Sequence, residues 1–340
     1  MPSVSKIAQY AGVSKSTVSL VLNNKSGVSE HKRQQVLNAV NELRTQEESS
    51  MAAFQGDAIL PNNHEPLSVV VFHPAILESN QVYSEFLQGI QAGADIYQIQ
   101  LRFATNESNA SHGHISHLYM TDPALRPDGL LIMGARQNEP LAEEAQIQDI
   151  PYLLISRQAP DPATTAVGWN EAAAAQKATD HLLDLGHQAI AFVGGDEIYS
   201  YTCGRLQGYQ LALQARGIVP NPGWVALGSG QVAAEQILAT SPEITAALFV
   251  NDTHAIAGLP VFKRAGRSIP NDLSIVSFDD TEEACLFDPP LTSIHFPRYQ
   301  TGLWAVRALV EQIRNPAMES LQIIFKSSLT KRKSCASPKQ

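Results

Sequence analysis

Cysteine is scarce in this chain: Cys203, Cys285 and Cys335 are three residues, odd in number and far apart. That spacing builds neither a disulfide framework nor a CxxC metal pair. Small buried hydrophobes in a reducing compartment is the plainer role for them. Long apolar runs are missing as well, so no segment is long enough to cross a bilayer. The opening MPSVSKIAQYAGVS is polar and helix-patterned, without the apolar stretch of a signal peptide. The expectation is a soluble, cytoplasmic protein with no membrane partner.

The signatures of common catalytic sites are also lacking. Gly194-Gly195-Asp196 follows a strand pattern but has none of the GxGxxG or GxxxxGK[ST] context of a phosphate loop, so a plain turn is the reading. Ten histidines form no HExxH, and no GxSxG elbow occurs. His112, His114 and His117 share the polar stretch 109–117, where solvated loop histidines are a simpler account than a metal site. No enzyme activity, metal or cofactor is expected. The net charge of −9 argues against a protein that coats nucleic acid, although a basic module can sit on an acidic body, so charge has to be read by segment.

What is present falls into segments. A length of 340 residues allows two or three domains and a sizeable core. Residues 1–45 read as three short helices. Ser3 or Ser5 can cap the first, whose apolar face is Ile7, Ala8 and Ala11. Gly12 permits a tight turn, with Val13 as a buried plug. Ser14 can cap a second helix with Val18, Val21 and Leu22 at helical spacing, and Ser29 starts a third with Val36, Leu37, Val40 and Leu43. Small residues in the first helix, a glycine at the turn and short polar residues opening the second are what a helix-turn-helix requires. The second helix then enters the major groove with Lys15, Ser16, Thr17 and Ser19. Six Lys or Arg against two acids give residues 1–45 a charge of +4, a local basic footprint for phosphate. A helical docking domain would share the apolar spacing but not the polar start of the second helix.

Residues 46–66, with their acids, Gly56, Pro61 and Pro66, read as a linker holding at most one short helix around 50–55. From Leu67 onward short apolar runs (67–72, 129–133, 152–155, 189–193, 246–250, 273–278) alternate with amphipathic stretches such as 83–93, 172–185, 205–214 and 301–314. That alternation implies parallel sheets with right-handed crossovers. About ten such runs exceed one small sheet, so two lobes with a cleft are expected.

The run Ile7-Ala8, Ala11-Gly12-Val13-Ser14, Thr17-Val18-Ser19 and Val21-Leu22-Asn23, followed by Val28-Ser29, Arg33 and Val36, resembles the N-terminus of the LacI/GalR family of bacterial repressors. The resemblance continues through Pro127-Asp128-Gly129-Leu130, His181-Leu182-Leu183-Asp184-Leu185-Gly186-His187, 247–252, 269–280 and 289–294, and reaches Arg332-Lys333-Ser334-Cys335. It implies an all-α helix-turn-helix domain (1–45), a hinge (46–66) and a two-lobed α/β, periplasmic-binding-protein-like effector domain (67–340). Lobe one would comprise about 67–158 and 290–320, and lobe two about 159–289 and 321–340. A homodimer on a pseudo-palindromic, double-stranded operator is implied too, with a sugar or nucleoside as effector. A free-standing solute-binding protein, or a regulator that has lost effector control, is the alternative.

Residues carried over by the resemblance are Ser5, Asn23 and Lys32 as further DNA contacts, and Tyr83, Arg157, Arg205, Asn251 and Asp279 as effector contacts. Arg205, Asn251 and Asp279 also lie at or near strand ends, where open α/β sheets place ligands. An arginine fork beside side-chain acceptors suits vicinal hydroxyls or a carboxylate. Asp252 and Asp280 fit ligand contacts or loop pins equally well. The chain departs from the family at three places. Leu20 stands where the family often has arginine, Trp169 replaces the aspartate of a V-x-x-DN strand, and Glu47, Glu48 and Ala52 replace a hinge proline, asparagine and arginine. Phe54 falls at the family's minor-groove leucine, and an aromatic wedge can also unstack a base step.

Overall fold

The computed structural model describes residues 7–8, 10–22, 25, 27–40, 42, 66–73, 81–105, 119, 122–133, 140–155 and 163–339. The chain divides into two compact units, Met1–His64 and Glu65–Gln340.

In the first unit, helical residues 7–8 and 10 precede a turn at 11–13, then helix α1 (Lys15–Leu22) and helix α2 (30–40). Gly12 sits at φ +61°, where a Cβ would meet nothing, so the turn needs glycine for its backbone angle rather than for space. Ser14 Oγ accepts a hydrogen bond from the Thr17 amide at 3.2 Å and caps α1. Ile7, Ala8 and Ala11 close on Val18 and Val21 and on Val36, Ala39 and Val40. Leu37 was expected in this core and is instead 41% exposed. The inward face of α2 runs through 36, 39 and 40, and Leu37 lies one position off that stripe. Leu43 lies outside the described residues.

The second unit holds two six-stranded sheets. The first is ordered β11-β5-β4-β3-β1-β2, from strands β1 (Ser68–His73), β2 (Gln100–Thr105), β3 (Gly129–Met133), β4 (Tyr152–Ile155), β5 (Ala166–Trp169) and β11 (Gln322–Phe325). The second is ordered β12-β10-β9-β8-β6-β7, from β6 (Ile190–Val193), β7 (Val225–Ala226), β8 (Ala246–Phe249), β9 (Ser274–Phe278), β10 (Thr292–His295) and β12 (Ser328–Thr330). All pairings are parallel except β10 with β12. Strands β3, β6, β8 and β9 are buried along their whole length, as parallel strands covered on both faces must be. The helices that position the site are α3 (Gln81–Tyr97), α4 (Pro140–Ile147), α5 (Glu171–Asp184), α6 (Ser200–Ala215), α7 (Gly230–Thr240), α8 (Asp252–Arg264), α9 (Glu282–Leu286) and α10 (Arg298–Arg314).

Two lobes are therefore present, but the strands divide between them differently from the expected boundaries. Residues 166–169 pair into the first sheet rather than the second lobe, as do 322–325, while 292–295 belong to the second sheet. The chain crosses between sheets after Trp169, after His295 and between Phe325 and Ser328. Hydrogen-bonded pairing decides membership, and the edge strands β11 and β12 are too short and too exposed to announce a partner.

Candidate functional site

Two regions carry polar chemistry on ordered scaffolds. On α1, Val18 and Val21 are buried, while Ser19 is exposed and Lys15, Thr17 and Leu20 are half-exposed. The helix thus turns a face of short polar side chains and one leucine to the outside from its capped first turn onward. The Thr17 hydroxyl lies 2.8 Å from Ser14 Oγ, so it is preset by the cap. Lys32 is exposed on α2. Ser16 belongs to α1 by its backbone, and Ser5, Asn23 and Phe54 lie outside the described residues.

The second region is the junction between the lobes. Gly208 lets α6 approach α5: a Cβ there would stand 2.1 Å from the Ala172 carbonyl oxygen. That close crossing brings Arg205, 4% exposed, against Glu171 at the first position of α5. Arg205 Nε donates to Glu171 Oε2 at 2.7 Å, one NH2 hydrogen goes to Oε1 at 3.2 Å, and NH1 donates to the Val250 carbonyl at 2.5 Å. Its guanidinium carbon lies 4.4 Å from the Phe278 ring centroid. Burial alone would lower the pKa of Arg205; Glu171 and Asp279 outweigh it and raise it, so the cation is locked in.

Trp169, the last residue of β5, donates its indole N–H to Glu171 Oε1 at 2.8 Å. Its ring is 4% exposed, stacked on Phe296 at 4.2 Å between centroids and flanked by Phe86 at 5.8 Å. Phe296 in turn stacks on Phe278 at 6.4 Å. An aromatic column therefore runs from lobe one (Phe86, Trp169) into lobe two (Phe278) and ends on Arg205.

Of the expected effector contacts, Arg205, Asp279 and Tyr83 come together here. Asp279 has φ +101°, a strained angle for a residue with a Cβ. Its carboxylate accepts from Arg298 at 3.2 Å and lies 3.9 Å from Arg205. The Tyr83 hydroxyl is pushed up to about 12 by burial, with Asp279 and Tyr199 adding to it. Asn251 caps α8: its Oδ1 accepts from the His254 amide at 2.9 Å and lies 2.7 Å from the His254 ring. Arg157, His112, His114 and His117 lie outside the described residues. Glu171, Arg298, Tyr199 and Tyr201 did not emerge from the sequence. Glu171 reads there as an ordinary acid in the first turn of a helix, and nothing marks Arg298 apart from its position after a strand.

Asp252 and Asp280 are loop pins. Asp280 takes Arg332 at 2.5 Å and Thr330 at 3.0 Å. Asp252 accepts from Ser277, from Ser293 at 2.8 Å and from the Thr281 amide at 2.8 Å, fixing the loop that carries Asp279. Burial first, then Asp279, pushes Asp252 from 3.8 up to about 6. A raised carboxylate pKa means the native state binds this proton more tightly than the unfolded chain. The group's contribution is therefore lost as pH rises through about 6, a difference on the order of 3 kcal/mol. Asp252→Asn can keep the loop, its oxygen facing Thr281 and its amide facing the serines. It should flatten the stability profile between about pH 4 and 6 relative to the parent, measured by urea midpoint. Parallel profiles for the two proteins would contradict this.

A helix-turn-helix unit joined to two parallel-sheet lobes, with a charged and aromatic junction between them, defines a DNA-binding regulator of the ligand-sensing type. Residues 3–44 match the model of bacterial regulatory proteins of the lacI family, and residues 179–335 match that of the periplasmic binding protein-like domain. The HTH-type transcriptional repressor CytR of Escherichia coli (strain K12) is 30% identical over 315 residues, covering 91% of this chain and 89% of that protein. Among solved structures, the transcriptional regulator CelR–cellobiose complex aligns with a TM-score of 0.75 at 26% identity, covering 98% of this chain and 100% of that one. The lac repressor dimer bound to operator and the anti-inducer ONPF aligns at 0.70 and 25% identity, over 98% and 99%. The chain belongs to the LacI family of transcription regulators. Among the described residues no helix is long and apolar enough to cross a membrane.

Proposed function

We propose that this regulator is a homodimeric, cytoplasmic repressor that reads a pseudo-palindromic operator and responds to a small sugar or nucleoside at its interlobe junction. Domain limits of 1–45, 46–66 and 67–340 go with this reading. Lys15, Ser16, Thr17, Ser19 and Leu20 face base edges, Ser5, Asn23 and Lys32 add further contacts, and Phe54 wedges into the minor groove. Tyr83, Arg157, Arg205, Asn251 and Asp279 surround the effector. The observation that carries the DNA reading is the capped start of α1, which buries Val18 and Val21 and leaves the Lys15–Ser19–Leu20 side outward. Support for a dimer on operator and for a sugar effector comes from the lac repressor and CelR likenesses.

Selection of binding sites from random DNA tests the reading. Leu20 can touch only a thymine methyl or the groove wall, whereas arginine can fork onto guanine. Leu20→Arg should therefore change base preference at one symmetric pair of positions, by about 1–3 kcal/mol. Identical selected sites for parent and variant would remove Leu20 from the interface.

A further inference from the structure

Arg205 is the cation best placed to receive an effector's acidic or hydroxyl group, and it is already engaged. Glu171 takes the Nε–NH2 edge of its fork with both carboxylate oxygens, the Val250 carbonyl takes NH1, and Phe278 covers one face. The pairing is built in. Glu171 stands on the first turn of α5, Trp169 aims it through the indole N–H, and the Phe86 and Phe296 rings hold Trp169 in place. Asp279 adds a second carboxylate 3.9 Å from the same guanidinium and is itself held by Arg298 at 3.2 Å, so an anion arriving here would compete with carboxylates already in place. A hydroxyl arriving here would find acceptors. Tyrosine rings adjoin the site, with Tyr201 at 5.2 Å from the guanidinium and stacked on Tyr199 at 5.3 Å. Rings of this kind suit the apolar face of a sugar or the face of a base.

We infer that Glu171 is an internal carboxylate ligand of Arg205, positioned by Trp169, that closes the junction to carboxylate and phosphate effectors and leaves it selective for uncharged rings bearing vicinal hydroxyls. The inference rests on the effector reading proposed above. It makes Glu171 a specificity-determining residue and Trp169 its positioning residue. A bidentate arginine–carboxylate pair is strong in a buried site, and removing one partner strands the other charge.

The experiment is chemical rescue in the full-length chain. Glu171→Ala should lower the thermal midpoint by roughly 5–15 °C in chloride. Acetate at equal ionic strength should restore a large part of that loss by taking the vacated place on Arg205. The parent should be indifferent to acetate, and so should Arg205→Met/Glu171→Ala, which has no cation to receive it. Should Glu171→Ala fold only with acetate present, the result is the same. Glu171→Gln, whose amide fills the space, should fold and ignore acetate. An acetate response as large in the parent as in Glu171→Ala, or none in Glu171→Ala, overturns the inference.

Calorimetry on the parent then compares cellobiose with cellobionate, and adenosine with its 5′-monophosphate. The uncharged member of the binding pair should win, and which pair responds separates a sugar from a nucleoside. Tighter binding of a charged member contradicts the selectivity. Rescue by acetate with no binding of any of the four probes would uphold the occupied fork and count against the effector reading instead.

Discussion

Replacing Arg205 with alanine should destabilise the α/β unit by about 3–5 kcal/mol, because it leaves the Glu171 carboxylate buried without its partner. Arg205 is 5% and Glu171 11% exposed by side chain, so solvent does little to screen the loss. Urea unfolding of the full chain measures it. Glu171→Ala should cost a similar amount, and the double variant should cost clearly less than the two singles together, since the second change removes the stranded charge. Strictly additive losses would mean that the fork contributes nothing as a pair. Binding to operator DNA below the unfolding temperature should survive, because the helix-turn-helix core, with Ile7, Ala8, Ala11, Val18, Val21, Val36, Ala39 and Val40 buried in it, belongs to the first unit and Arg205 to the second.

The second large effect belongs to Trp169. Trp169→Ala should cost about 3–5 kcal/mol, as a buried indole leaves a cavity between Phe86 and Phe296. Trp169→Phe keeps a ring in the column and loses only the donor to Glu171, so its cost should be about 1.5–3 kcal/mol, the range for a hydrogen bond to a charged group. The comparison separates stacking from positioning. Equal losses in the two variants would show that the ring contributes no packing beyond its N–H. Little loss in Trp169→Ala would mean that the column is not part of the folded core.

Much of this molecule could be read from its residues, and the reason differs by region. The first helical unit was legible because Gly12, Ser14 and the valine spacing each act within a few residues. Strands β3, β4, β6 and β8 were legible as continuous apolar runs, since burial on both faces leaves no polar interruptions, and β9 was legible through Ile275, Val276 and Phe278 despite its two serines. The edge strands β2, β11 and β12 were not: their residues face water in part and mix polar with apolar. The expected lobe boundaries also put 166–169 and 292–295 in the other lobe, because the sheet that a buried strand joins is set by long-range pairing and not by its own residues.

At the site, sequence position picked out Arg205 and Asp279, and the resemblance added Tyr83. What it missed was the contact between Arg205 and Glu171, which are separated by thirty-four residues and meet only because Gly208 lets α6 lie on α5. Trp169 was visible as a departure from the family pattern. Its consequence, a column of rings joining the lobes, depends on Phe86, Phe278 and Phe296 arriving from three other elements. Local sequence cannot report such convergence.

Sequence-specific recognition of DNA by this protein is assigned to α1. The most direct measurement is the affinity of the full-length chain for its selected site and for a scrambled duplex of the same length, at one physiological salt concentration. The expected ratio is on the order of 10³ or more in favour of the selected site, with a steep salt dependence for both duplexes. A ratio near one, with the same salt slope, would mean that α1 meets phosphate alone and that the protein does not read sequence.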